Sequence, residues 1–199
     1  GPLRTIAFAP GGQRLITVGE DRVARLWSEV GVHVAALTAH TGAIGGAVTT
    51  GTGTLTLGGN ITSTGGAANA TISGNLALGG NRTFTTTNAA DRLTVPRVIS
   101  GANPLTKPGN GTLTLSGVNT YTGTTTISTG TLVAASNSAL GSTTAGTTVA
   151  NNANLTLQGR ITLRAEALSL TGTGVGNNGA LRNLSGNNSW GGTVTLAGT

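Results

Sequence analysis

The chain has 199 residues and a mean hydropathy of +0.12; only 8% of it is charged and 3% aromatic. It has no Cys, which excludes disulfides and thiolate metal centres, and no apolar run near the roughly 20 residues that span a bilayer as a helix. The net charge of +6 reflects scarce acids, 5 against 11 bases, and the bases are scattered from Arg4 to Arg182 without aromatics between them, so no nucleic-acid partner is expected.

With 34 Gly and about one Thr in every five residues, the composition could suggest a flexible linker. Disordered chains, however, are charge-rich and poor in β-branched residues, whereas here Leu, Ile and Val recur between Thr residues. Short strands joined by tight turns are expected, and hence an all-β fold. The texture changes near residue 43. Both His (His33 and His40) and three of the five acids (Glu20, Asp21 and Glu29) precede that point, and Asp91 and Glu166 are the only acids after it. Two regions are therefore expected, 1–43 and 44–199.

In the first region Leu3 to Phe8, Arg14 to Val18, Arg22 to Trp27 and Val32 to Leu37 read as four short antiparallel strands, with turns at Pro10-Gly11-Gly12 and Gly19-Glu20-Asp21. Leu3 to Phe8 is too short for a signal peptide, so in an exported protein this sequence would be an internal piece. Ala7-Phe8-Ala9-Pro10-Gly11-Gly12, then Leu26-Trp27, then Ala39-His40 resemble one WD-repeat unit, with Gly11 and Ser28 standing where that family usually has Asp. The resemblance implies a structural hydrogen-bond network among Thr17, Asp21, Trp27 and His40, with His40 as a blade histidine and not a metal ligand or catalyst. A single blade cannot close a propeller, so this segment is expected to be a relic, a junction or a fragment end, with capping of the second region as one role open to it.

In the second region Gly53-Thr54-Leu55-Thr56-Leu57 recurs as Gly111-Thr112-Leu113-Thr114-Leu115, and weakly as Asn154-Leu155-Thr156-Leu157. Asn119-Thr120-Tyr121-Thr122-Gly123 recurs as Asn188-Ser189-Trp190-Gly191-Gly192. Alternation puts Leu on one face of each strand and Thr on the other. No strand is long enough to bury that apolar face in two ordinary layers, but stacking successive coils buries it. About 20 residues per coil predicts seven or eight coils rising about 35 Å. A sandwich would want more aromatic core than Phe84, Tyr121 and Trp190 supply.

Leu105-Thr106-Lys107, Gly111 to Gly117, Asn119 to Gly123, Gly130-Thr131-Leu132 and Ala139-Leu140-Gly141 together resemble the autotransporter-associated strand repeat, also called the passenger-associated transport repeat. Pro108 departs from the pattern and is expected at a corner. The resemblance implies a right-handed parallel β-helix, a β-solenoid, in a bacterial exported or cell-surface protein. It also implies a stalk that assists its own export, with no enzyme activity and no cofactor. The residues agree: Asp91 and Glu166 are too far apart to act as a carboxylate pair, and are expected in solvated ion pairs with Arg92 and Arg164. Candidate partners are a glycan, with Tyr121 and Trp190 as candidate contacts against a corner-packing role, a protein, or a second copy bound end to end through open coil edges.

Overall fold

The computed structural model describes residues 3–8, 14–19, 24–28, 33–37, 47–48, 53–64 and 69–198. The chain divides into two compact units, Gly1–Ile44 and Gly45–Thr199.

In the first unit Leu3–Phe8, Arg14–Gly19, Ala24–Ser28 and His33–Leu37 form a four-stranded antiparallel sheet in sequence order. Thr17 pairs with Arg25 and Leu15 with Trp27. Thr17 and Trp27 are placed here only as backbone positions, and Asp21 and His40 lie outside the described residues.

The second unit is a parallel β-solenoid. One face stacks Ala47–Val48, Asn69–Ile72, Arg92–Val95, Thr112–Leu115, Gly130–Ala134, Ala153–Gln158 and Leu181–Ser185. A second face stacks Ile61–Ser63, Arg82–Thr86, Leu105–Lys107, Thr125–Ile127, Thr147–Val149, Leu168–Leu170 and Val194–Leu196. The third side is regular only toward the ends, in Thr54–Leu57, Asn75–Leu78 and Ile99–Ser100, and again in Thr162–Leu163 and Ser189–Trp190. Six full turns therefore separate the first rung from the seventh, about 29 Å at roughly 4.8 Å per rung. That is fewer turns than a 20-residue coil predicts. The register explains it: Leu113 to Leu132 takes one turn in 19 residues, but Leu155 to Leu181 takes 26.

The Leu-Thr alternation sets the interior. On the first face Leu93, Leu113, Leu132 and Leu155 stack in one buried column, and Val95, Leu115, Ala134 and Leu157 in the next. Each fully buried Leu contributes about 1.5–3 kcal/mol, which Thr cannot match, so the frame with Leu inward wins. Phe84 is fully buried in the same core. Among the described residues the only helical element is the single 3-10 turn Val175–Asn177, and no helix is long and apolar enough to cross a membrane. Val175–Asn177 belongs to the excess length of the sixth turn. Asn154 fastens that loop, accepting from the Val175 N–H and donating Nδ2 to the Gly179 carbonyl.

Candidate functional site

The two solenoid acids are buried and not solvated, which corrects the expectation of solvent-exposed pairs. Asp91 and Arg92 are adjacent across the start of a strand, so their side chains leave on opposite sides. Asp91 turns inward and is 1% exposed. Its Oδ2 accepts from Asn88 N at 2.7 Å and from Asn88 Nδ2 at 3.2 Å. Arg92 turns outward and donates Nη1 to Thr112 Oγ1 at 2.9 Å. Glu166 is 2% exposed and accepts from Thr147 Oγ1 at 2.8 Å, while Arg164 is exposed. Between them Ala165 has φ 53°, a left-handed conformation that costs an L-residue roughly 1–2 kcal/mol. That turn directs Glu166 inward. Burial raises its carboxyl above the ordinary range, with the Thr147 hydrogen bond opposing.

The second face carries a polar seam inside the core. Its inward column runs Leu105, Thr125, Thr147, Leu168, Val194. The two Thr break an otherwise apolar column, and each has a polar partner. Tyr121 Oη lies 2.7 Å from Thr125 Oγ1, which also donates to the Leu140 carbonyl at 3.3 Å. Thr147 serves Glu166. In the next column Lys107 is fully buried, and its Nζ donates to the Gly109 carbonyl at 2.5 Å, to Thr129 at 3.0 Å and to Pro108 at 3.4 Å. Burial pulls its ammonium down to about 8. The carbonyl cage closes over Gly130, where φ is +70° and a Cβ would sit 2.7 Å from Nζ. Pro108 stands at the corner just after its strand, as expected.

Tyr121 is fully buried, which is the corner-packing place, so its ring presents no surface to a glycan. Trp190 is half-buried and donates Nε1 to the Glu166 carbonyl at 2.9 Å. The exposed chemistry lies elsewhere, in a ladder of hydroxyls on the outer side of the second face. Thr83, Thr106, Thr126, Thr148, Ser169 and Thr195 are in register on successive rungs. Over its last three rungs a shallow groove of about 190 Å³ is lined by Gly146, Thr148, Ala167, Ser169, Thr193 and Thr195. Such a row can hydrogen-bond a hydroxyl-bearing chain, and holds no nucleophile–base pair. Among the described residues no group of three or more His, Asp or Glu is placed to hold a metal ion.

The family described as passenger-associated-transport-repeat matches residues 105–134, the stretch that holds Lys107, Tyr121 and Thr125. Within the solenoid, that stretch is similar to a passenger-associated transport repeat. The chain is also 38% identical over 97 residues to the adhesin BmaC autotransporter of Brucella suis biovar 1 (strain 1330). That alignment takes in 46% of this chain and 3% of the adhesin, so the chain spans a small fraction of that relative's length. No solved structure matches the chain significantly. The passenger repeat places the segment in an extracellular or cell-surface protein. Lys107 and Asn119 stand out in the sequence only as members of a motif, and Thr125 and Thr147 do not stand out at all. The available signal is Thr124-Thr125-Thr126, where Thr occupies both faces of a strand and so must put one hydroxyl inside.

Proposed function

We propose that residues 44–199 are a non-catalytic stalk in the passenger of an exported or cell-surface bacterial protein, contributing to its own export, and that residues 1–43 are a separate WD-blade-like segment. The WD resemblance assigns Thr17, Asp21, Trp27 and His40 of that segment to a structural network. The observation that carries the stalk reading is the seven-rung parallel stack, in which buried Asn119 and Glu166 each hydrogen-bond across to a neighbouring coil. A stalk must transmit position along its axis, and repeated inter-coil bonds supply that stiffness.

A second reading is favoured by the hydroxyl ladder and its groove: an adhesin surface for glycans, the Brucella relative being an adhesin by name. The deciding experiment is a glycan array probed with the folded chain and with a Thr148→Val/Thr195→Val variant. Silence from a chain shown by circular dichroism to be folded supports the stalk. Binding that disappears in the variant replaces it with the adhesin.

A further inference from the structure

The residue two places before each strand of the second face occupies one corner of the coil. Successive coils put Asn103, Gly123, Ala145, Glu166 and Gly192 there. Only one of these five carries an acid, and it follows the left-handed Ala165. Glu166 is bonded in both axial directions. Its carboxylate takes the Thr147 hydroxyl of the coil before it, and its backbone carbonyl takes Trp190 Nε1 of the coil after it. Gly192 has to be small here, because a Cβ would fall 1.9 Å from that carbonyl.

The carboxylate is short of partners. One neutral hydroxyl is its whole hydrogen-bond complement among the described residues, and no Lys, Arg or His is paired with it. The groups that face it are Thr147, the indole of Trp190 and, electrostatically, the buried Tyr121, none of them cationic. Arg164, two residues away, is exposed. A buried anion needs a countercharge or several donors. A neutral carboxylic acid needs neither.

We propose that Glu166 is a proton-operated latch across the last three coils, seated when it carries a proton and loosened when it loses it. Its acid form holds the Leu168–Leu170 rung between its neighbours, and its ionised form pulls toward water and frees the corner. Burial raises the carboxyl in the folded chain above its ordinary 4.5. Below 4.5 both folded and unfolded chains hold the proton. Between 4.5 and the raised midpoint only the folded chain does, so stability is full in acid and falls as pH rises through that window.

The scarcity of acids makes this measurable. Apart from Glu166 the solenoid region has only Asp91, and three acids and both His lie before residue 44. Thermal unfolding of the full chain from pH 4 to 8 is compared with that of Glu166→Gln, and with Asp91→Asn as the control for the other buried acid. The wild-type midpoint should drop with rising pH relative to Glu166→Gln, by about 3–5 °C for each unit by which the carboxyl is raised. Asp91→Asn separates out any part of the slope that belongs to the other buried acid. Identical slopes for wild type and Glu166→Gln overturn the latch. A direct carboxyl titration of Glu166 by NMR in the wild-type chain covers the case in which the variant does not fold. A midpoint above 4.5 supports the proposal, and one at or below it rejects it.

Discussion

Residues 117–123 and 186–192 are two copies of one corner, Gly-x-Asn-x-aromatic-x-Gly, in different settings. Toward the preceding coil they behave alike. Asn119 Oδ1 accepts from Ile99 N, and Asn188 Oδ1 from Ile161 N, both at 2.8 Å. A Cβ on Gly123 would lie 2.3 Å from Asn103, and one on Gly192 1.9 Å from Glu166. Toward the following coil they part. Asn119 Nδ2 donates across to the Ala139 carbonyl at 2.7 Å, whereas Asn188 Nδ2 turns back to Asn183 and Ser185 of its own coil. Tyr121 is fully buried and Trp190 half-buried. The motif therefore supplies half of its own environment, and the coil laid over it supplies the rest.

Substitutions can break or sharpen that contrast. The largest effect belongs to the aromatic pair. Tyr121→Ala, which opens a buried cavity, should destabilise by about 3–5 kcal/mol in chemical unfolding, and Trp190→Ala by about half as much. Equal losses would mean that the covering coil contributes nothing. Next come the glycines. Gly123→Ala and Gly192→Ala each meet the preceding coil, so each should cost about 1–3 kcal/mol and the two should agree. A Gly192 variant as stable as wild type would show that the last corner is open on both sides. The smallest effect is the difference between Asn119→Ala and Asn188→Ala. The first orphans a buried group on both sides and the second on one, so their unfolding free energies should differ by about 1 kcal/mol, with Asn119 the costlier.

Much of the architecture was legible because it follows from period. Leu at alternate positions in Thr112–Leu115 can bury only one face, and coils of similar length let that face stack. The corners were legible too, since Gly and Asn mark the bends and Pro108 falls on one. The fates of the acids were not. Asp91 beside Arg92 reads as an ion pair in the sequence, but a strand sends neighbours to opposite sides, and the corner decides which one goes in. The repeat position already favoured corner packing for Tyr121 and Trp190 over glycan contact, but not how far each would be covered: Tyr121 is fully buried and Trp190 half-buried. An aromatic at a corner looks the same in the chain whether or not a coil will cover it.

By itself, then, the sequence determined an all-β chain in two textures, with a Leu-inside, Thr-outside solenoid from about residue 44 and a passenger-repeat stretch at its centre. The fold properties are local, since they depend on side-chain period and turn chemistry within one coil, while the passenger repeat was read from its resemblance to a family. Only the tertiary structure decided the number of turns, the carbonyl cage around Lys107, the hydroxyl ladder of the second face and the burial of Glu166 against Thr147. Each of these depends at least in part on residues about 20 apart, such as Lys107 and Thr129 or Thr147 and Glu166, and their meeting depends on how many residues every intervening coil takes to come round. A coil of 19 and a coil of 26 look much alike in composition, yet they set which side chains end up face to face.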